Sequence, residues 1–338
     1  MTGPAFGARF ARATFLNPLV IVALVLWIAA NAAVLILAGG HLPFDRPAVA
    51  GLPFAVQVAV PTVGFIEIFG LMGVVYWLTR KRAIPDLAAR TPARAVAARE
   101  TAALLAYAML GQAGGWLVGP ALGYRPFSFH IAGTLFGCST LASPGEVWTW
   151  MGYNFVVFAV APYLWFRRRY SAEQLNLTWA APRSDLILIV VIAAIESAFE
   201  LTAFPGILKL TPHQLALAAP LSFLVYFLGT VLPTMVLIYA ILLPRYLRLT
   251  GSVTATVLLG GLTYALMHLV EGWSLFATPK DAALSLIMVF LSYVGPGMFK
   301  SFVTLRTGNA WVHALGYHAF APHVVADAPM IAKVFAIH

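Results

Sequence analysis

Nine stretches of roughly 20 apolar residues follow one another along this 338-residue chain, each about the length that carries a helix across a bilayer. They cover 17–39, 53–78, 97–118, 147–166, 186–204, 215–243, 252–270, 282–299 and 309–326. The sixth is long and contains Pro233, and the ninth is interrupted by histidines and Pro322. Only 10% of the residues are charged and 61% are apolar, too little charge to clothe a soluble domain. A soluble enzyme, a disordered tail and a nucleic-acid-binding module are excluded. The expected fold is all-α, a polytopic membrane helix bundle of about 8–9 transmembrane helices. Residues 1–180 supply helices one to four with their basic loops, and 181–338 supply a C-terminal core. The first stretch is longer than the apolar region of a signal peptide and lacks a clear cleavage pattern.

The net charge of +9 needs a reading that fits a membrane. In an alternating nine-span layout, 16 of the 21 basic residues fall on one side. Arg9 and Arg12 precede the first span, Arg80, Lys81 and Arg82 follow the second, and Arg167, Arg168 and Arg169 follow the fourth. Lys300 and Arg306 are counted after the eighth. The positive-inside rule then predicts a cytoplasmic N-terminus and an outward C-terminus, in a bacterial inner membrane. The basicity serves topology and attraction to lipid headgroups, so lipids are the expected partners and nucleic acid is not. The single cysteine, Cys138, excludes a disulfide framework and a thiolate zinc cluster. The loop 80–99 alternates Ala and Arg as a surface helix would, and the loop 119–146 carries aromatics, His130 and Cys138.

Ionisable groups inside apolar spans are expensive, so they are the first candidates for function. Glu67 lies in the middle of the second span. Glu196 and Glu200 in the fifth are four residues apart and share a helix face. His268 and Glu271 share a face at the end of the seventh span, whereas Glu146, Asp185 and Asp281 read as interface or cap residues. His313, His318 and His323 recur every five residues, about 140° apart on a regular helix, so a bend at Pro322 is needed before two can face one point. Glu196, Glu200, His268 and His318 are the candidate catalytic set. His268, Glu271, His318 and His323 are the candidate ligands of a divalent metal, since imidazole and carboxylate together complete such sites.

The stretch from 242 onward reads Leu-Leu-Pro-Arg-Tyr-Leu-Arg-Leu-Thr-Gly, then Tyr264-Ala-Leu-Met-His268, then Thr307-Gly308-Asn309-Ala310-Trp311 leading to His318. It resembles the CPBP family (CAAX proteases and bacteriocin-processing enzymes, the Abi intramembrane proteases) over roughly 95 residues. That family carries a glutamate motif, EExxxR, then an aromatic-x-x-x-His motif, then Thr-Gly-Asn/Ser-x-Trp leading into His-x-x-x-Asn/Asp. The resemblance implies an intramembrane peptidase in which His268 and His318 hold an oxyanion or a metal. In this register the glutamate pair falls at Thr234 and Met235 and the arginine at Tyr239. Pro322 follows His318 where the family has Asn or Asp, and the spacing from Trp311 to His318 is one residue longer than the pattern. Glu196 or Glu200 would have to stand in for the missing carboxylate. Three readings remain open. One is a peptidase with a displaced glutamate base, acting on a membrane-embedded or lipidated peptide. Another is a non-catalytic scaffold that binds a membrane protein, a lipid or a metal. The third is a histidine-bound cofactor site such as a bis-His haem.

Overall fold

The computed structural model describes residues 17–44, 49, 51–129 and 143–338, and it is all-helical, with no β-strand among the described residues. Arg9, Arg12, Arg46, His130 and Cys138 lie outside the described residues. Helices α1 (Pro18–Ala38), α2 (Phe54–Thr79) and α3 (Arg94–Ala121) are followed by α4. Helix α4 joins Pro144–Asn154 to Ala161–Arg167 through a π-type stretch, Phe155–Val160. Then come α5 (Pro182–Ala203), α6 (Pro212–Thr250), α7 (Val253–Met267) and α8 (Pro279–Thr307). Beyond α8 the chain makes one α-turn, Trp311–His313, and two π-type turns, Ala314–His318 and Ala321–Ala326, before a short α9 (Ala328–Val334).

Six of these helices, α1, α2, α3, α5, α6 and α8, are long and apolar enough to cross a membrane. The count of 8–9 is therefore too high among the described residues, for three physical reasons. Helix α7 has only 15 residues, short of a span. Helix α4 is long enough but less apolar, with Trp148, Thr149, Trp150, Tyr153 and Asn154 in its first half. The ninth apolar stretch never becomes a regular helix, because Pro322 and the two π-type turns bend it repeatedly. Large apolar side chains stand exposed along the outside of the bundle, among them Ile28, Ile36, Leu186 and Val190. A surface of this kind belongs against lipid tails, and the architecture is that of a membrane protein.

Local sequence sets where the helices begin. Asn17-Pro18, Ser143-Pro144, Thr211-Pro212 and Thr278-Pro279 each pair a capping side chain with proline at the first helical position. At Ser143 and Thr211 the third helical residue, Glu146 or Gln214, completes a capping box. Helix α6 is the centre of the bundle: every residue of its π-type stretch Met235–Leu242 is buried. Pro233 lies between this stretch and a second one, Phe227–Val231, so the backbone group that proline cannot satisfy is absorbed by a local change of helical register rather than by a break.

Helices α7 and α8 pack backbone to backbone. A methyl group at Gly297 would lie 2.8 Å from Cα of Gly261, and one at Gly261 would lie 2.7 Å from the Val294 carbonyl oxygen. Small residues are what allow membrane helices to approach this closely. A polar clasp ties α2, α5 and α8 at one end. Arg82 reaches Asp185 at 2.5 Å and donates to the Thr307 carbonyl at 2.9 Å. Asn309 donates to the other Asp185 oxygen at 2.9 Å, and Arg306 donates to the hydroxyl and carbonyl of Thr79. Gly308 closes α8 in the left-handed conformation, φ +64°, which a residue with a side chain rarely adopts. The Thr307-Gly308-Asn309 sequence is thus a helix stop and a clasp.

Two outcomes follow from this packing. Gly297→Ala should destabilise the bundle by about 1–3 kcal/mol through overpacking, whereas Gly73→Ala, where a methyl group meets nothing, should leave thermal unfolding unchanged or slightly higher. Asp185→Ala strands Arg82 and should cost about 3 kcal/mol, and the double variant with Arg82→Ala should cost less than the two single changes added together. Both are read by thermal unfolding of purified protein in detergent.

Candidate functional site

One cavity of about 310 Å³ lies between α2, α5, α7, α8 and the turns that follow α8. Each element contributes for a local reason. Glu196 and Glu200 are one turn apart on α5 and point inward together, both almost fully buried. Glu67 enters from α2 and lines the same space as Glu196 and Glu200. Lys300 enters from α8 and is fully buried, its ammonium 3.6 Å from the centre of the Tyr264 ring. The bends around Pro322 bring His318 and His323 to the same wall, their rings 5.1 Å apart.

The histidines are held by specific partners. Nε2 of His318 lies 3.2 Å from the Tyr264 hydroxyl and Nδ1 lies 3.4 Å from the Thr234 hydroxyl. Thr234 has a single hydroxyl proton, and it bonds back to the Thr230 carbonyl at 2.9 Å. It therefore accepts from the Nδ1 proton of His318, which leaves Nε2 to accept from Tyr264. His268 sits at the end of α7. Its Nδ1 donates to the Tyr264 carbonyl at 2.7 Å, and its ring stacks on Tyr293 with centroids 4.0 Å apart. It thus caps a carbonyl left open where α7 stops. His323 pairs with Asp327 at 3.0 Å and stacks on Tyr226 at 4.4 Å. His313 is buried against the ring of Tyr239.

The structure therefore brings together Glu196, Glu200, His318 and His323, four of the residues singled out from sequence. His268 meets the wall of this cavity through Tyr264 and Tyr293, and Glu271 is buried in the turn after α7, outside the cavity lining. The candidate ligands His268, Glu271, His318 and His323 do not converge: among the described residues no three or more His, Cys, Asp or Glu side chains form a metal-binding group. The physical reason is placement: the bends around Pro322 bring only His318 and His323 together, while His268 sits at the end of α7 and Glu271 lies outside the cavity.

Sequence reasoning missed Lys300. The loop count places it on the cytoplasmic side, but α8 continues to Thr307 and holds it two turns inside the helix. The signal was present, because an aromatic at 264 and acids at 67, 196 and 200 are what a buried ammonium needs. Glu67 reads as a lone acid until α2 and α5 are seen side by side. Thr234 acquires a role only from its contact with His318. Compared with known protein families, with curated proteins and with solved structures, the chain matches none.

Proposed function

We propose that the chain is a divergent intramembrane peptidase of the CPBP type, set in the bacterial inner membrane with its N-terminus cytoplasmic, and that it hydrolyses a membrane-embedded or lipidated peptide. The observation that carries this reading is the buried cavity that holds Glu196, Glu200 and His318 together. A carboxylate of α5 takes a proton from water as the water oxygen attacks the scissile carbonyl carbon. The Tyr264 hydroxyl turns from His318 to the developing oxyanion, whose charge the Lys300 ammonium offsets. When the carbon–nitrogen bond breaks, the glutamic acid returns its proton to the leaving amine. His268 acts as a positioning residue, because it fixes the carbonyl of the residue that carries the hydroxyl.

Thr234 favours a second reading. Its hydroxyl stands beside His318 where the family's glutamate falls, and a hydroxyl of this kind is no general base. In that reading the chain is a non-catalytic scaffold that holds a membrane-protein or lipid partner.

The two readings separate in proteoliposomes that contain a lipidated peptide reporter. The peptidase reading expects cleavage by the wild type, a loss of about 10²–10⁴-fold in kcat for Glu196→Gln or Glu200→Gln, and a smaller loss for Tyr264→Phe. Unchanged cleavage in the double glutamine variant removes both carboxylates as the base. A wild type that cleaves nothing but copurifies with a stoichiometric partner selects the scaffold.

A further inference from the structure

The ionisable groups of the cavity are unbalanced. Three acidic side chains, Glu67, Glu196 and Glu200, line it with one basic side chain, Lys300. Lys300 does not pair with them directly: its Nζ makes no hydrogen bond and lies over the Tyr264 ring. One oxygen each of Glu196 and Glu200 is buried without a hydrogen-bond partner, although both residues line an open space. Buried oxygens of this kind are costly to leave unmet. The rest of the wall is apolar. At the mouth stand Leu52 and Val63, 43% and 53% exposed, with Ala203 exposed across from them. Helix α2 packs closely on α8 and touches α5 only sparingly, so the mouth opens sideways between α2 and α5, toward lipid.

We propose that this cavity binds a monocationic amphiphile, a primary alkylammonium whose head meets the free oxygens of Glu196 and Glu200 and whose tail leaves through the apolar mouth. Acidic side chains outnumber the one lysine in the wall, which favours a head that carries a positive charge. The two orphan oxygens select a head with several N–H donors. The lateral, apolar opening favours a ligand that arrives from the bilayer over a hydrated metal ion, which would have to shed its water first. The site stands on geometry alone and holds whether or not the cavity hydrolyses a peptide.

Equilibrium binding of hexylammonium to purified full-length protein in phosphatidylcholine nanodiscs tests this, with hexanol and hexanoate as the neutral and anionic counterparts. Saturable binding of one hexylammonium per chain is expected, at least tenfold tighter than either counterpart. The Glu196→Gln/Glu200→Gln variant should weaken it roughly tenfold or more, since a charged hydrogen-bonded contact is worth at least that factor. Lys300→Gln removes the competing positive charge and should tighten it. A measurement on the wild type covers the case in which a variant fails to fold: hexylammonium, but not hexanol, should slow labelling of the Glu196 and Glu200 carboxyls by dicyclohexylcarbodiimide. Hexanoate binding as tightly as hexylammonium, unaltered binding in a folded double variant, or labelling that hexylammonium does not slow would each overturn the proposal. None of these readouts involves cleavage, so failure of the peptidase reading leaves the result interpretable.

Discussion

The contact between the backbones of α7 and α8 is the interaction on which the rest of the site depends. Gly261 and Gly297 lack side chains, and that absence lets the two helices lie directly on each other. Tyr264 is one turn beyond Gly261 and Lys300 one turn beyond Gly297, so the same approach sets the ammonium over the ring. Tyr264 in turn gives its hydroxyl to His318 and its carbonyl to His268. One residue thus joins both histidines to the only buried lysine of the cavity. A wider separation of the two helices would leave each of these polar groups to find a partner in oil, which is far more costly than ordinary loss of packing.

The clasp at the other end of α8 answers the same demand by a different route. Arg82 is shared between Asp185 and the end of α8, and Asn309 takes the remaining Asp185 oxygen. Ala310 donates its backbone N–H to Asn176, whose side chain donates to the Tyr239 carbonyl of α6. The end of α8 is thus tied to four other segments, at Arg82, Asp185, Asn176 and Tyr239. The clasp therefore fixes how far α8 slides along α2 and α5, and with it the depth at which Lys300 meets the glutamates. The Thr307-Gly308-Asn309-Ala310 run has a structural role here, whatever chemistry the cavity performs.

Much of this was legible in the sequence. The first eight apolar stretches coincide with helices, and the pairing of Glu196 with Glu200 follows from helical spacing alone. What was not legible depends on neighbours. Glu67 and Glu196 line one cavity from positions 129 apart in the chain, and no local pattern records it. Lys300 misled because a basic residue near a span end looks like a loop charge until the end of the helix is known. The segment 309–326 misled because apolarity and length are necessary for a span but do not forbid π-type turns. The histidines suggested a metal set because spacing does not say where the rings lie once the chain bends.

The prolines at the helix starts have a consequence for the bilayer itself. Pro18, Pro144, Pro182, Pro212 and Pro279 all stand in the first turn of their helices. A proline there forbids the helix from growing backward, because the residue before it is pushed into extended conformation. These helices cannot trade a turn of coil for a turn of helix when the membrane thickens. In bilayers of different thickness the bundle must respond as a body, by tilting or by drawing the lipid to its own height, and the distances inside the cavity are insulated from that adjustment.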